Sequence, residues 1–428
     1  MTTAQPRAGQ PGTAATQGIN GPVVLIVSPH AGQAAHGPSP RDLLEAQGIT
    51  VAEQVDVRAL DLHQPQGERW RKQGYAAAIA AGGDGTIGGV ATQLAGSGLT
   101  LGILPLGTSN DVARSLGVPL DLAAAATAIR AGVPTNVDAG EVVLLEKTET
   151  KAPDNEPDGI GQRLTDLLHP KRARQRRQQQ QRQTTVNFVH AATLGLNAEF
   201  ARLATDVARR QRWGSLTYAT AALEAVLHIQ PVSIKIHFSG VQSISTQTAQ
   251  TAQNGQSEQD GLVASEITIP QAPLTHLVEA HVVQLAAVNT PIFGGRMNLH
   301  LPLSHPSDQL LDFVLIEAIE PGRLRQTMEG LLRALERMGD SLLHRAEEHM
   351  EADEIAASLA LPGVQHIQAQ SARIETPEPV EMTLDGELGL RTPVEIRVAA
   401  EPLRVLLPQS AHESLLHGVI PAKTMFRI

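Results

Sequence analysis

The sequence predicts a doubly wound α/β domain with a mostly parallel sheet over residues 21–136, followed by a mostly antiparallel β-sandwich domain over 137–408. Two observations carry this. Residues 21–136 alternate short, unbroken apolar runs with helical segments, and a strand covered on both faces needs an unbroken apolar run. After Val137 the runs become alternating and are separated by polar loops, the pattern of strands with one face in a core and one in water. The length of 428 residues also suits two domains better than one.

The elements follow in order. Gly21–Ser28 (GPVVLIVS) reads as a buried strand ending at Pro29, Arg41–Gln47 as a short helix and Thr50–Val57 as a second strand. Glu68–Gln73 is helical in composition, and Tyr75–Ala81 is a third apolar run that passes directly into Gly82-Gly83-Asp84-Gly85-Thr86. A helix over Thr86–Leu94 and a strand over Leu99–Leu104 lead to a second glycine turn, Leu106–Asp111, which opens a helix over Val112–Leu116. In the second domain strands are expected at Val186–His190, Val232–Phe238, Ala264–Ile269, Val278–Val288, Phe313–Ala318, His366–Ile374, Glu381–Leu384 and Val394–Ala399. Helices are expected over Asn197–Ile229 and Pro321–Ala357, and the segment from about 409 to 428 is expected to return to the first domain. Residues 1–20 read as a disordered tail, and the polar stretches 146–185 and 245–261 as flexible insertions.

Composition narrows the function. Only 2% of residues are aromatic and the net charge is −10. Nucleic-acid binding by base stacking or by a global basic field is therefore not expected. The absence of cysteine excludes disulfides, thiolate metal sites and thiol nucleophiles. No apolar run reaches the roughly 18 residues that a spanning helix needs, and no signal peptide is recognisable at the start, so a cytoplasmic protein is expected.

The loop after the third strand is the strongest local signal. Gly82, Gly83 and Gly85 let the backbone turn sharply and approach a ligand closely. Thr86 stands where it could cap the following helix, whose free N–H groups and dipole make an anion site. Asp84 is out of place beside phosphate unless it faces a metal ion or accepts from a ligand hydroxyl. Gly83-x-Gly85-x-x-Gly88 also satisfies the dinucleotide fingerprint, but the next strand ends Ile103-Leu104-Pro105 without the acid that fingerprint expects. No Walker A sequence is present. The second turn, with Gly107, Thr108, Asn110 and Asp111, puts another helix start at the same sheet edge, where open α/β sheets bind ligands.

Together these segments resemble the diacylglycerol kinase catalytic family, and the bacterial soluble lipid kinases in particular. The likeness rests on GGDGT at Gly82–Thr86 and on LGILPLGTSNDVARSLGVP at Leu101–Pro119. It continues through Asn187-Phe188, Gly195–Glu199, Arg210–Tyr218, Asn289–Gly295 with Met297, and Leu384-Asp385-Gly386-Glu387. This family is related in fold to sphingosine kinases and, more remotely, to NAD kinases. The resemblance implies ATP in the cleft between the domains. Its phosphates would lie on Gly82, Gly83, Asp84, Gly85, Thr86, Ile87 and Gly88, with Thr108 and the turn Ser28-Pro29-His30-Ala31-Gly32 completing the site. A lipid hydroxyl would attack the γ-phosphate with Mg²⁺ neutralising charge, and Asp385 and Glu387 are the two candidates for the base. By the same resemblance a second, structural Mg²⁺ sits at Asp308 with backbone oxygens of His305 and Leu310.

Departures from the family pattern are Ser28 for its usual Asn, Gly88-Gly89 for Asn-Glu, Asn197 for Asp, and Ser307-Asp308-Gln309 for Asp-Asp-Gly. Plainer readings stay open beside the functional ones. Asp385-Gly386 suits a hairpin turn, and Asp308 could be a solvated loop acid. The basic run Lys171–Arg182 could hold anionic lipid headgroups or form a solvated loop. A lipid alcohol at a membrane surface is the expected partner, with peripheral membrane contact and a homodimer both compatible with the sequence. An NAD kinase-like metabolite kinase and a non-catalytic lipid- or nucleotide-binding regulator are the alternatives.

Overall fold

A computed structural model describes residues 18–28, 38–61, 64–145, 185–195, 230–246, 266–268, 274–293, 299–301, 304–318 and 364–418. The first domain contains strands β1 (Val23–Val27), β2 (Val51–Asp56), β3 (Ala77–Gly82), β4 (Thr100–Pro105) and β5 (Val133–Val137). Its helices are α1 (Pro40–Ala46), α2 (Gly67–Lys72), α3 (Asp84–Leu94), α4 (Asp111–Ser115) and α5 (Leu122–Ala131). Local chemistry starts several of them. Ser39 caps α1 by accepting from the Asp42 N–H, with Pro40 in the first turn, and Asp121 caps α5 by accepting from the Ala124 N–H.

The second domain runs through β6 (Gly140–Leu144), β7 (Thr185–Phe188), β8 (Ala191–Gly195), β9 (Val232–Val241), β10 (Ser243–Thr246), β11 (Glu266–Thr268) and β12 (Leu274–Val288). The small pair β13 (Ile292–Phe293) and β14 (Leu299–His300) follows, then β15 (Leu311–Glu317), β16 (Val364–Ala369), β17 (Ser371–Glu375), β18 (Glu381–Leu384), β19 (Glu387–Arg391) and β20 (Val394–Val398). The chain then returns to the first domain through β21 (Leu403–Leu407) and α6 (Gln409–Leu416).

The first sheet has the order β2-β1-β3-β4-β21-β5. All its pairs are parallel except β21 with β5. Its central strands are sealed on both faces, with Val24, Leu25, Ala78, Ile79, Leu101 and Ile103 wholly inaccessible. Gly102 in β4 has no room for a side chain, since a Cβ there would lie 2.5 Å from Ile79 Cδ1. Among the described residues the second sheet has thirteen strands, all paired antiparallel. Its long strand β12 pairs with β9 along its first half and with both β8 and β15 along its second. Both branches therefore face one core, which includes Phe188, Ile236, Val282, Phe313, Met382 and Ile396.

The domains are joined by two crossings that run side by side. Asp138-Ala139 leads out of β5, and Ala399–Pro402 leads back into β21, with the Ala399 N–H donating to the Ala139 carbonyl at 2.8 Å. Helix α3 faces the second domain, and Thr92 Oγ1 donates to the Asn187 carbonyl at 3.0 Å.

Three expectations change. The return to the first sheet begins at Leu403, not near 409, because β21 supplies the strand that pairs with both β4 and β5. The single strand expected over His366–Ile374 is two, broken where the Gln370 N–H turns to the carbonyls of Ser239 and Gly240. Helix α3 begins at Asp84, and its N-cap is Gly83 rather than Thr86. Strands β5, β6, β8, β10, β13, β14, β19 and β21 and helix α6 were not anticipated. The helices expected over 197–229 and 321–357 and the basic run 171–182 lie outside the described residues.

Phe238 and Phe313 meet edge to face in the second core, with centroids 5.2 Å apart, and both are buried. Phe238→Ala is expected to cost about 3–5 kcal/mol, read as a shift of the denaturant midpoint with an unchanged slope.

Candidate active site

Strands β3 and β4 end level with each other, Gly82 opposite Pro105, and the Leu106 N–H donates to the Gly82 carbonyl at 2.9 Å. The two glycine turns then lie back to back. A Cβ on Gly107 would stand 2.5 Å from Gly83 Cα, so this contact exists only because both residues lack side chains. Asn110 closes the second turn in the left-handed region, φ 51°. Its Oδ1 accepts from the Gly107 N–H and its Nδ2 donates to the Gly107 carbonyl, each at 2.9 Å. Thr108 and Ser109 stay exposed at the tip.

Asp84 joins the two turns. Its Oδ2 accepts from the Asp111 N–H at 3.2 Å and its Oδ1 from the Val112 N–H at 3.0 Å. The carboxylate therefore caps α4, a structural duty that the sequence reading did not assign to it. Thr86 also departs from expectation. It is buried in the first turn of α3, packed over Gly82, where a Cβ would stand 2.2 Å from Thr86 Oγ1. Gly83 offers no side-chain cap, which leaves the first-turn amides of α3 to a ligand. Ile87 points into the first core, not the cleft. Ser28 donates its N–H to the Ala81 carbonyl at 3.0 Å, while Pro29, His30, Ala31 and Gly32 lie outside the described residues.

The β18–β19 hairpin brings the second domain onto this loop. Asp385 and Gly386 form its two-residue turn with φ of 48° and 89°, the positive pair that Asp-Gly favours. The hairpin reading and the site reading thus hold together. Asp385 is buried, and its carboxylate lies against α3, so that a Cβ on Gly88 would be 2.0 Å from Oδ2. Three successive amides hold it. The His190 and Ala191 N–H groups donate to Oδ1 at 2.8 and 3.0 Å, and the Val189 N–H donates to Oδ2 at 3.0 Å. Burial pushes the carboxyl up to about 6, against the lowering pull of these bonds and of His190. A carboxylate accepts about four hydrogen bonds, so the open position is on Oδ2. Glu387 is exposed, its Oε1 3.2 Å from where a Gly85 Cβ would stand.

His190, which the sequence did not mark, joins residues of two of the motifs around the site. His190 Nδ1 is 2.7 Å from Thr290 Oγ1 and its Nε2 is 3.7 Å from Asp111 Oδ2. Asp111 also pairs with Arg114. Ser115 Oγ accepts from the Ile292 N–H, and the Asn289 amide donates to the carbonyls of Asp138 and Val189. A lone histidine at a strand end carries no motif, and nothing in the sequence marked it.

The turn expected to hold a structural metal carries internal bonds. The Leu310 N–H donates to Asp308 Oδ1 at 3.0 Å, the Gln309 N–H donates to Asp138 Oδ2 at 2.6 Å, and His305 stands beside them. Among the described residues no three acid or imidazole side chains converge on a metal position, and this turn enters no chemical step below. Oxygen donors suited to Mg²⁺ exist at the glycine loop, where Asp84 keeps unused lone pairs on both oxygens.

Comparison with known proteins fits this geometry. The model of the diacylglycerol kinase catalytic domain matches residues 22–142, and that of the YegS C-terminal NAD kinase beta sandwich-like domain matches residues 190–407. The chain belongs to this lipid kinase family. A diacylglycerol kinase of Mycobacterium tuberculosis (strain ATCC 25618 / H37Rv) is 23% identical over 397 residues, covering 91% of this chain and 96% of the relative. A protein named as a YegS-like lipid kinase, from Klebsiella pneumoniae (strain 342), is 53% identical over 66 residues, covering 15% of this chain and 22% of its own length. The crystal structure of a diacylglycerol kinase from Bacillus anthracis str. Sterne shares the fold at 18% identity, with a TM-score of 0.50 over 90% of this chain and 97% of that one. In this chain Gly88 leaves the space that the Asp385 carboxylate occupies.

Two outcomes follow from the geometry. Gly107→Ala puts a methyl group against Gly83 and is expected to destabilise the protein by about 1–3 kcal/mol, measured by urea unfolding. Asp385 holds its proton more tightly folded than unfolded. Its contribution to stability is therefore complete below about pH 4 and lost as pH rises through about 6. Asp385→Asn is expected to flatten the stability-versus-pH curve over that window.

Proposed function

We propose that this protein is an ATP-dependent lipid kinase that transfers the γ-phosphate to the hydroxyl of diacylglycerol or a related lipid alcohol. The observation that carries the reading is the seat of Asp385 on Gly88, one helical turn beyond the open amides at the start of α3. A phosphate site and a carboxylate able to accept a proton near neutral pH meet on one helix. The relatives' activity supports the lipid acceptor.

In this reading the nucleotide phosphates lie on the first-turn amides of α3 and the exposed turn at Thr108. The acceptor hydroxyl donates to Asp385 Oδ2, the oxygen with an acceptor position to spare. As the hydroxyl oxygen bonds to the γ-phosphorus, the bond to the β-phosphate oxygen breaks and the hydroxyl proton passes to Asp385. A pKa near 6 suits a base working near neutral pH better than that of an exposed carboxylate. This favours Asp385 over the exposed Glu387, which we place at the mouth of the site beside Gly85. Mg²⁺, bound with the nucleotide on the side of Asp84, would neutralise phosphate charge. The basic run Lys171–Arg182 is proposed to meet anionic headgroups, at about 1 kcal/mol per cation.

The test is transfer from labelled ATP with Mg²⁺ to diacylglycerol in mixed vesicles, with NAD as the competing acceptor. Label in the extracted lipid is the expected result. Label in the pyridine nucleotide, or nucleotide binding without transfer to either acceptor, overturns the reading. Asp385→Asn is expected to lower kcat at least about 100-fold with the circular dichroism spectrum retained.

A further inference from the structure

We propose that His190 is a positioning residue of the transfer site. Its backbone holds the carboxylate of Asp385, and its ring couples that carboxylate to Asp111 on the nucleotide side of the cleft. The proposal rests on the kinase reading above and concerns a residue that neither the motifs nor the family pattern singled out.

The geometry is specific. His190 follows β7 in the second domain, and its backbone N–H gives Asp385 the shortest of that carboxylate's three bonds, 2.8 Å. Its side chain is 13% exposed, too enclosed to choose its partners freely. On one edge Nδ1 lies 2.7 Å from Thr290 Oγ1, and Thr290 is wholly buried. On the other edge Nε2 lies 3.7 Å from Asp111 Oδ2, in the first domain. A lone pair facing a carboxylate would be repelled, so Nε2 carries the proton and Nδ1 accepts from the Thr290 hydroxyl. Asp111 is the residue whose N–H is capped by Asp84 at the start of α3. The contacts therefore form a closed circuit across the domain boundary: Asp84 to Asp111, Asp111 to the His190 ring, His190 N–H to Asp385, and Asp385 back onto α3 at Gly88.

The charged groups around the ring are Asp111 and Arg114 on α4, Asp385 on the β18–β19 turn, and Asp84 behind Asp111. The charge interaction with His190 lowers the Asp385 carboxyl against the upward push of burial. A residue that only filled space would leave the titration of Asp385 alone. His190→Asn keeps the backbone N–H, so this variant isolates the ring.

The experiment compares wild type with His190→Asn and Thr290→Val in lipid phosphorylation across pH. For His190→Asn, kcat is expected to fall about 10- to 100-fold with KM for ATP unchanged. The acid limb of kcat is expected to move to higher pH by up to about 1 unit, because Asp385 loses the lowering influence of His190. Thr290→Val is expected to move the limb in the same direction by less. Long-range ¹H–¹⁵N spectra of the imidazoles, which need no activity, are expected to show one Nε2–H ring that disappears in His190→Asn and changes in Thr290→Val. An active wild type whose His190→Asn variant keeps both kcat and the acid limb overturns the proposal. So does a fall in kcat without movement of the limb, or an Nδ1–H ring at this position. A wild type inactive on every acceptor instead sinks the kinase reading, and the spectra still decide the ring's bonding.

Discussion

The site depends on one constraint, the approach of atoms to backbone where a Cβ would forbid it. Gly83 and Gly107 touch, which lets the two glycine turns share one edge, and Gly88 admits the carboxylate of Asp385 onto α3. A carboxylate so enclosed would ordinarily take a proton or leave. Three amides prevent this, each charge-assisted bond contributing on the order of 1.5–3 kcal/mol. Burial still wins by a small margin, which is why the carboxyl titrates near 6 and not far higher. That balance is what a proton acceptor needs: ionised at neutral pH, yet more basic than an exposed acid.

The same economy governs the joint between domains. Among the described residues, several bonds that cross it also lie beside the site. Thr92 ties α3 to β7, Asn289 ties the crossing at Asp138 to Val189, and Ser115 receives the N–H of Ile292. The residues that hold the domains together are thus neighbours of those that hold Asp385, so a shift of one domain against the other moves the acid relative to the phosphate loop.

Much of this was legible in the sequence. The runs at Val23–Val27 and Ala77–Gly82 and the two glycine turns announced a parallel sheet with a ligand edge, because burial on both faces and turns without side chains leave direct traces in composition. Leu384–Glu387 was legible as a motif, and as a hairpin by its Asp-Gly pair. The duties of individual atoms were not. That Asp84 caps α4, that Thr86 packs over Gly82, and that His190 stands between Asp111 and Thr290 are tertiary facts, set by residues up to 100 positions apart. Strand β21 was missed for the same reason, since a five-residue run after Pro402 does not declare which sheet it joins.

That strand has a consequence for how the protein is made. β21 lies between β4 and β5, inside the nucleotide-side sheet, yet it is encoded almost at the end of the described chain. During synthesis the first domain emerges early with a gap between β4 and β5, and β5 has no strand neighbour until Leu407 has cleared the ribosome. The second domain must be threaded out and folded, or held open, before the first can close. A nascent chain interrupted anywhere within the β-sandwich therefore carries a complete set of phosphate-loop residues and no finished sheet to present them.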